Sequence, residues 1–322
     1  LNLRGLDAGI ADQANTAGSR ALVMDMLATG VIRPKRVADT PQQLMEQMRR
    51  GEISVGVVVP PDFERRRLDG REAVQVLVDG SDTVVQSAAV QIAQTPLDGS
   101  RALADATGLR ETTARQISVV SFYNPQRRTA VNIVPGLIGV ILTMTMVLFT
   151  GVAIVRERER GNMELLIATP ITRSELMIGK VLPYVAIGLV QVTLVLLLGA
   201  WLFQVPLRGS LLDAYAASLL LIVANLAMGL MISTLAKSQF QAMQMSFFAF
   251  LPSILLSGFM FPFAGMPKWA QYIGECLPLT HYLRIVRSIM LKGAALENLR
   301  YDAIALVVLT LVAMTIAVTR FR

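Results

Sequence analysis

Residues 129–155 and 181–207 contain no charged side chain. Each run exceeds the roughly 20 residues an α-helix needs to cross a bilayer, so both predict membrane spans. Between them lies a charged island, Arg156-Glu157-Arg158-Glu159-Arg160-Gly161-Asn162-Met163-Glu164-Leu165-Leu166-Ile167-Ala168-Thr169-Pro170, continuing through Ser174-Glu175-Leu176 to Gly179-Lys180. An island pinned between two spans is a loop at a membrane face. Its basic residues Arg156, Arg158, Arg160, Arg173 and Lys180 bias that face to the cytoplasm. The apolar pattern places five spans in all, at about 130–155, 181–203, 214–236, 243–263 and 303–319.

The first 123 residues alternate strand and helix patterns instead. Residues 6–11 read as a strand, 17–27 as a helix and 31–38 as a second strand. Thr40 offers an N-cap, with Pro41 at the first helical position and Gln43 three residues after the cap, so a helix runs to Arg50 and closes at Gly51. Residues 53–59 are a β-branched run ended by Pro60-Pro61, and 73–78 alternate before Asp79-Gly80. A longer helix at 83–107 and a strand at 117–122 complete the series. The fold class that follows is an α-helical polytopic membrane protein, residues 129–322, preceded by a mixed-sheet α/β domain at 1–128.

Alternation sets the orientation. With loop 156–180 inside, the tight 208–213 loop falls outside, Lys237 inside, and Arg320 and Arg322 inside, as the positive-inside rule prefers. The α/β domain is then extracytoplasmic, which requires a sixth span upstream of Leu1. Residues 268–302 fall outside despite five Lys/Arg. Within them Tyr282, Ile285, Val286, Ile289 and Met290 recur at helical spacing while Arg284 and Arg287 take other faces. Residues 264–300 are therefore expected to lie in the interface as an amphipathic segment, or to dip into the bilayer, anchored by Trp269.

Composition narrows the function. With 53% apolar and 16% charged residues the whole chain is not a soluble globule. The net charge of +7 does not signal nucleic acid, because the first 130 residues carry 16 Lys/Arg against 15 Asp/Glu and the surplus belongs to membrane-flanking positions. One cysteine, Cys276, and one histidine, His281, leave no internal disulfide or Cys/His zinc cluster. His281 is expected at the interface. Asp79, Asp82 and Asp98 stand beside turn formers, which favours turn chemistry over a metal site, and Arg65-Arg66-Arg67 reads as a solvated face, with an anionic partner as the alternative. The spans lack ionisable residues at mid-depth, against an ion-coupled carrier or channel, and a His-Glu-x-x-His motif is absent. So is a Gly-x-x-x-x-Gly-Lys-Ser/Thr phosphate loop. Any ATPase must be another chain.

Polar residues do occur within the spans. Tyr184 and Gln191 lie seven apart, as do Ser218 and Asn225, while Gln241 and Gln244 lie three apart. Interhelical hydrogen bonding is the simpler reading and a substrate path the sharper one. Met144, Met228 and Met245 read as gap-fillers or as part of an adaptable path.

Two motif sets resemble one family. Glu157-Arg158-Glu159-Arg160-Gly161, then Glu164-Leu165-Leu166, Thr169-Pro170, Ser174-Glu175-Leu176 and Gly179-Lys180, resemble the cytoplasmic loop of permeases of the type-2 class of ATP-binding cassette (ABC) exporters. Asn162 stands where that family often has Thr or Ser. Ser257-Gly258-Phe259-Met260-Phe261-Pro262, Met266-Pro267, Trp269, Pro278-Leu279-Thr280, Arg287 and Lys292-Gly293 resemble its last outer segment. Asn124-Pro125 with Asn132-Ile133-Val134-Pro135-Gly136 resembles the entry to its second span. The likeness covers residues 124–322, and the preceding domain agrees with members that insert a large domain between spans one and two.

The resemblance implies the membrane subunit of an ATP-driven exporter in the bacterial inner membrane. The chain would bind no cofactor itself, ATP and Mg²⁺ being held by a cytoplasmic ATPase that docks on a coupling helix within residues 157–175. A second permease copy or paralogue would complete a dimer, with membrane lipids and a periplasmic adaptor as further partners, and hydrophobic or amphipathic compounds as substrates. Periodicity alone leaves the island open between a docking helix, with Met163, Leu166 and Ile167 toward lipid, and a topology signal. The competing class is a membrane-anchored sensor or assembly protein.

Overall fold

In the first unit, five strands form one sheet in the order β2-β1-β3-β4-β5, from β1 (Leu6–Asp12), β2 (Ile32–Val37), β3 (Val55–Val59), β4 (Val74–Asp79) and β5 (Ile117–Phe122). The computed structural model describes residues 6–69, 71–80, 85, 117–124, 126, 128–161, 173–261 and 263–320, and the chain divides into units Leu1–Thr129 and Ala130–Arg322. β1 is parallel to both β2 and β3, β3 and β4 are antiparallel, and β4 and β5 are parallel. Central β3 is buried along its whole length, as a Val-rich strand covered on both faces should be. Val55, Val57 and Val59 pack with Leu22, Met26 and Phe63; Val58 packs on the other face with Leu44 and Met48. The period-2 alternation thus meets α1 (Ala17–Ala28) and α3 (Phe63–Leu68) on one side and α2 (Pro41–Arg49) on the other.

Local chemistry starts these helices where the sequence predicts. The Thr40 hydroxyl accepts from Gln43 N, with Pro41 in the first turn, and Thr16 and Ser19 form a reciprocal capping box. Helix α3 was not expected, because Arg65-Arg66-Arg67 read as a charged face without an apolar stripe. It buries only Phe63, and Arg66 pairs with Asp62 at 2.8 Å one turn back. Asp79 ends β4 directly before the turn at Gly80, is buried, and its N–H donates to Ser54 O at 3.1 Å. Asp82, Asp98 and most of the 83–107 helix lie outside the described residues.

The second unit is helical: α4 (Thr129–Glu159), α5 (Arg173–Trp201), α6 (Leu211–Leu235), α7 (Gln239–Leu256), α8 (Lys268–Glu275), α9 (Pro278–Lys292) and α10 (Arg300–Arg320). Among the described residues four helical stretches are long and apolar enough to cross a membrane: Thr129–Glu159, Leu182–Trp201, Leu211–Leu235 and Leu296–Arg320. Of their apolar windows, 61% in α4 and 67% in α6 is buried, against 17% in each of the other two. Helices α4 and α6 are therefore interior, and α5 and α10 turn apolar side chains outward.

Two expectations gain detail. The helix expected at 243–263 starts and ends earlier and is not among these four stretches. Helix α7 starts at Gln239, ends at Leu256 and is followed by Gly258 at φ 89°, because Pro252 weakens the helix and the glycine turns it. The amphipathic segment expected at 264–300 is two helices, and only α8 has an exposed apolar face, with Trp269 and Tyr272 outward. Helix α9 buries twelve of its fifteen residues and packs against α6 and α10. The five positions expected to share an apolar face are all buried, and Arg284 and Arg287 between them are partly exposed, Arg284 pairing with Glu275 and Asp302.

Close approach of α4 to its neighbours depends on small residues. A Cβ at Gly139 would fall 2.7 Å from Leu279 Cδ1 and from Tyr282 Cδ1, so this glycine seats Tyr282 against α4. Tyr282 is completely buried, and its hydroxyl meets Ser218 Oγ of α6 at 3.0 Å. Farther along, a Cβ at Gly229 of α6 would fall 2.9 Å from Val147 O of α4.

Candidate coupling end of the membrane unit

The Glu-Arg-Glu-x-Gly sequence ends α4. Gly161 adopts φ 74°, the left-handed conformation that commonly terminates a helix, and its N–H donates to Arg158 O at 3.2 Å. Ahead of this stop, two neighbouring side chains of opposite charge reach different helix ends. Arg158 donates from Nη1 to Ala236 O at 3.2 Å and from Nη2 to Ser233 O at 3.3 Å. These carbonyls belong to the last turn and cap of α6, where the backbone lacks partners and the helix dipole is negative.

Glu159 does the reverse. It accepts the Gln239 N–H, the first of α7, at 2.9 Å, and also accepts from Gln239 Nε2. Arg156 Nε donates to Gln239 Oε1 at 3.2 Å, so the Gln239 amide is held at both ends. The turn between α6 and α7 is closed further by Ser238 Oγ, which accepts from Gln241 N at 3.2 Å, and by Gln241 Oε1, which accepts from Lys237 N at 2.8 Å. Beneath these polar contacts Val155, Ala236 and Ala242 form an apolar seam.

The remaining predicted residues fall as follows. Glu157 lies within α4, and Glu175 falls in the first turn of α5. Asn162, Glu164, Leu165, Leu166, Thr169 and Pro170 lie outside the described residues. Of the residues considered for a path, Gln191 Oε1 accepts from Thr145 Oγ1 at 2.9 Å, and Asn225 Nδ2 donates to Thr143 Oγ1 at 3.1 Å. Both join helices to α4. Gln241 belongs to the α7 cap, Tyr184 lies 6.5 Å from Phe149 between ring centroids, and Gln244 is exposed on α7. These side chains are not brought together into one cavity among the described residues.

At the other end of the unit, Arg287 Nη1 donates to Gly258 O at 3.3 Å, Pro278 opens α9 and Trp269 is exposed; Pro262 lies outside the described residues. Here the sequence reading missed a cluster. His281, expected at the interface, is buried, with Nδ1 2.8 Å from Asp302 Oδ1 and Nε2 2.9 Å from Glu275 O. Arg284 pairs with Glu275 at 2.5 Å and Asp302 at 3.4 Å, and stacks 4.7 Å over the Phe263 ring. Burial opposes the charge on His281, yet the hydrogen bonds to Asp302 and the Glu275 carbonyl outweigh it and raise the pKa. The one available signal was a local excess of ionisable residues, with Glu275, His281, Arg284 and Asp302 among the eight Asp, Glu, His, Lys and Arg of residues 275–302, and periodicity does not rank these by partner.

With this geometry in place, the whole chain matches the model of the ABC-2 family transporter proteins over residues 2–319. The chain belongs to the ABC-2 family. It is 33% identical over 265 residues to the probable multidrug ABC transporter permease YbhS of Escherichia coli, covering 80% of this chain and 69% of that one. Similarity to the probable multidrug ABC transporter permease YbhR of Escherichia coli is 30% over 285 residues, covering 88% and 77%. The inner membrane transport permease YhhJ of Escherichia coli aligns over 100% of this chain and 86% of its own at 27% identity. As an ABC-2 permease the chain is an integral membrane protein, the membrane subunit of an ABC transporter.

Proposed function

We propose that this ABC-2 permease is half of the membrane part of an ATP-driven exporter. A separate cytoplasmic ATPase docks on residues 162–175, holds the ATP and Mg²⁺, and is joined by a second permease copy or paralogue. The observation that carries this reading is the end of α4. A charged, capped helix terminus bridges α6 and α7 immediately before a segment rich in docking-type residues, so a partner bound there has leverage on three helices at once.

This end faces the cytoplasm and the α/β unit lies on the outside, as the basic residues of the island prefer. Helix α7, at 18 residues and so about 27 Å long, reaches across most of a hydrocarbon core of about 30 Å. The substrate is hydrophobic or amphipathic, in keeping with the multidrug names of YbhS and YbhR. The interhelical bonds of Gln191 and Asn225 favour packing over substrate contact for those residues.

Affinity purification of the full-length protein from its native membrane, read by mass spectrometry and ATP hydrolysis, tests the proposal. A stoichiometric, active ATPase is the expected companion. Repeated mild extraction of folded permease without an ATPase would replace the exporter reading with that of a tethered sensor or assembly protein.

A further inference from the structure

We infer that Arg158 and Glu159 are positioning residues that carry motion of the α4–α5 connection into the α6–α7 turn, and are not contacts for the ATPase itself. The inference rests on the docking reading above and goes beyond it, because the motif that marks the docking loop is spent within the permease. Five hydrogen bonds from Arg156, Arg158 and Glu159 cross to residues 233–239.

Their polarity matters as much as their number. A guanidinium faces the carbonyl end of α6 and a carboxylate faces the amide end of α7, so each charge complements the terminus it meets. The pair are adjacent in sequence, yet their targets point in opposite directions along the chain. Only a tight turn, Ala236-Lys237-Ser238, brings one helix's end and the next one's start within reach of both. With Val155, Ala236 and Ala242 packed beneath, the end of α4 cannot shift without taking this turn along. Motion imposed where α4 leaves the membrane therefore reaches α7 directly, without passing through the bundle interior. Glu159 is exposed, so truncating it leaves the packing of α4 in place.

The test uses the full permease with its ATPase, and follows backbone amide exchange with and without ATP plus vanadate. In the wild-type complex, trapping is expected to change exchange in both 156–175 and 233–241. In Glu159→Ala the change at 156–175 persists, while that at 237–241 falls about tenfold, the scale of coupling within one hydrogen-bond network. Glu159→Gln, whose amide oxygen can still accept from Gln239 N, restores part of it, and Glu159→Ala/Gln239→Ala is no worse than Glu159→Ala alone. Arg158→Lys, a second and milder variant, shows the same selective loss at 233–236. Equal nucleotide-dependent changes at 237–241 in wild type and variants would overturn the inference and leave the exporter reading standing. Loss of the ATPase from the Glu159→Ala complex would make this residue a docking contact and also overturn it. Absence of an ATPase from the wild-type protein removes the proposed function, and the inference with it.

Discussion

His281 Nδ1 lies 2.8 Å from Asp302 Oδ1 while the opposite ring nitrogen faces the carbonyl oxygen of Glu275 at 2.9 Å. Both partners can accept, so they favour the ring's protonated form, which donates from both nitrogens, and this raises its pKa. With Arg284 the ring faces the carboxylates of Glu275 and Asp302, a half-buried set that ties α8, α9 and α10 together. A histidine whose folded pKa is raised stabilises fully below its unfolded value, about 6.5, and loses that contribution as pH rises through the folded value. The melting temperature of the solubilised protein should therefore fall as pH is raised from 6.5 through the folded value. His281 is the chain's one histidine, so His281→Ala should flatten this slope while lowering stability throughout by about 2 kcal/mol. A slope unchanged in the variant would assign the titration elsewhere.

Much of this arrangement was legible in advance, and its limits have physical causes. Thr40-Pro41 announced α2 because capping is local chemistry, and the apolar run at 73–78, broken only at Gln75, announced β4, whose residues are buried except Gln75. The uncharged runs at 129–155 and 181–207 contain most of α4 and most of α5, since length and composition decide whether a helix can cross a bilayer. Arg158 and Glu159 stood out by resemblance, but their targets did not, because Ser233 and Ala236 offer Arg158 only backbone carbonyls and Gln239 lies 80 positions from Glu159. His281 and Asp302 are 21 positions apart on different helices, so no short motif joins them.

The α4–α6 crossing sets a second prediction. A methyl group added at Gly229 would lie 2.8 Å from Thr150 Cβ and 2.9 Å from Val147 O, and a backbone oxygen inside a helix cannot turn aside as a side-chain end can. Gly229→Ala should therefore push the two helices apart and cost about 1–3 kcal/mol. Thermal unfolding in detergent measures it. Gly179→Ala, where an added Cβ meets no other atom within 4 Å, serves as the control and should be near neutral.

Gln191 separates packing from substrate recognition. Its Oε1 accepts from Thr145 Oγ1 across the α4–α5 contact, and this bond needs no substrate. Gln191→Leu should cost about 0.6–2 kcal/mol of thermal stability. Once cells are grown at a temperature where the variant folds, its relative efflux of ethidium and other cationic dyes should match that of wild type. A changed dye preference at equal expression would instead make Gln191 a substrate contact.

The single cysteine provides a direct test of orientation. Cys276 is exposed at the end of α8, and no other cysteine in the chain competes for a thiol reagent. If the Arg156–Glu159 end faces the cytoplasm, three successive crossings by α5, α6 and α7 place α8 on the opposite side, with the aromatic rings of Trp269 and Tyr272 outward. A membrane-impermeant maleimide added to spheroplasts should then label Cys276 before lysis, and Cys276→Ser should abolish the label. A cysteine introduced at Lys237, in the α6–α7 turn, should stay protected until the membrane is opened. Labelling of position 237 but not Cys276 in sealed spheroplasts would invert the protein, and would place the Arg158–Glu159 bridge out of reach of any cytoplasmic ATPase.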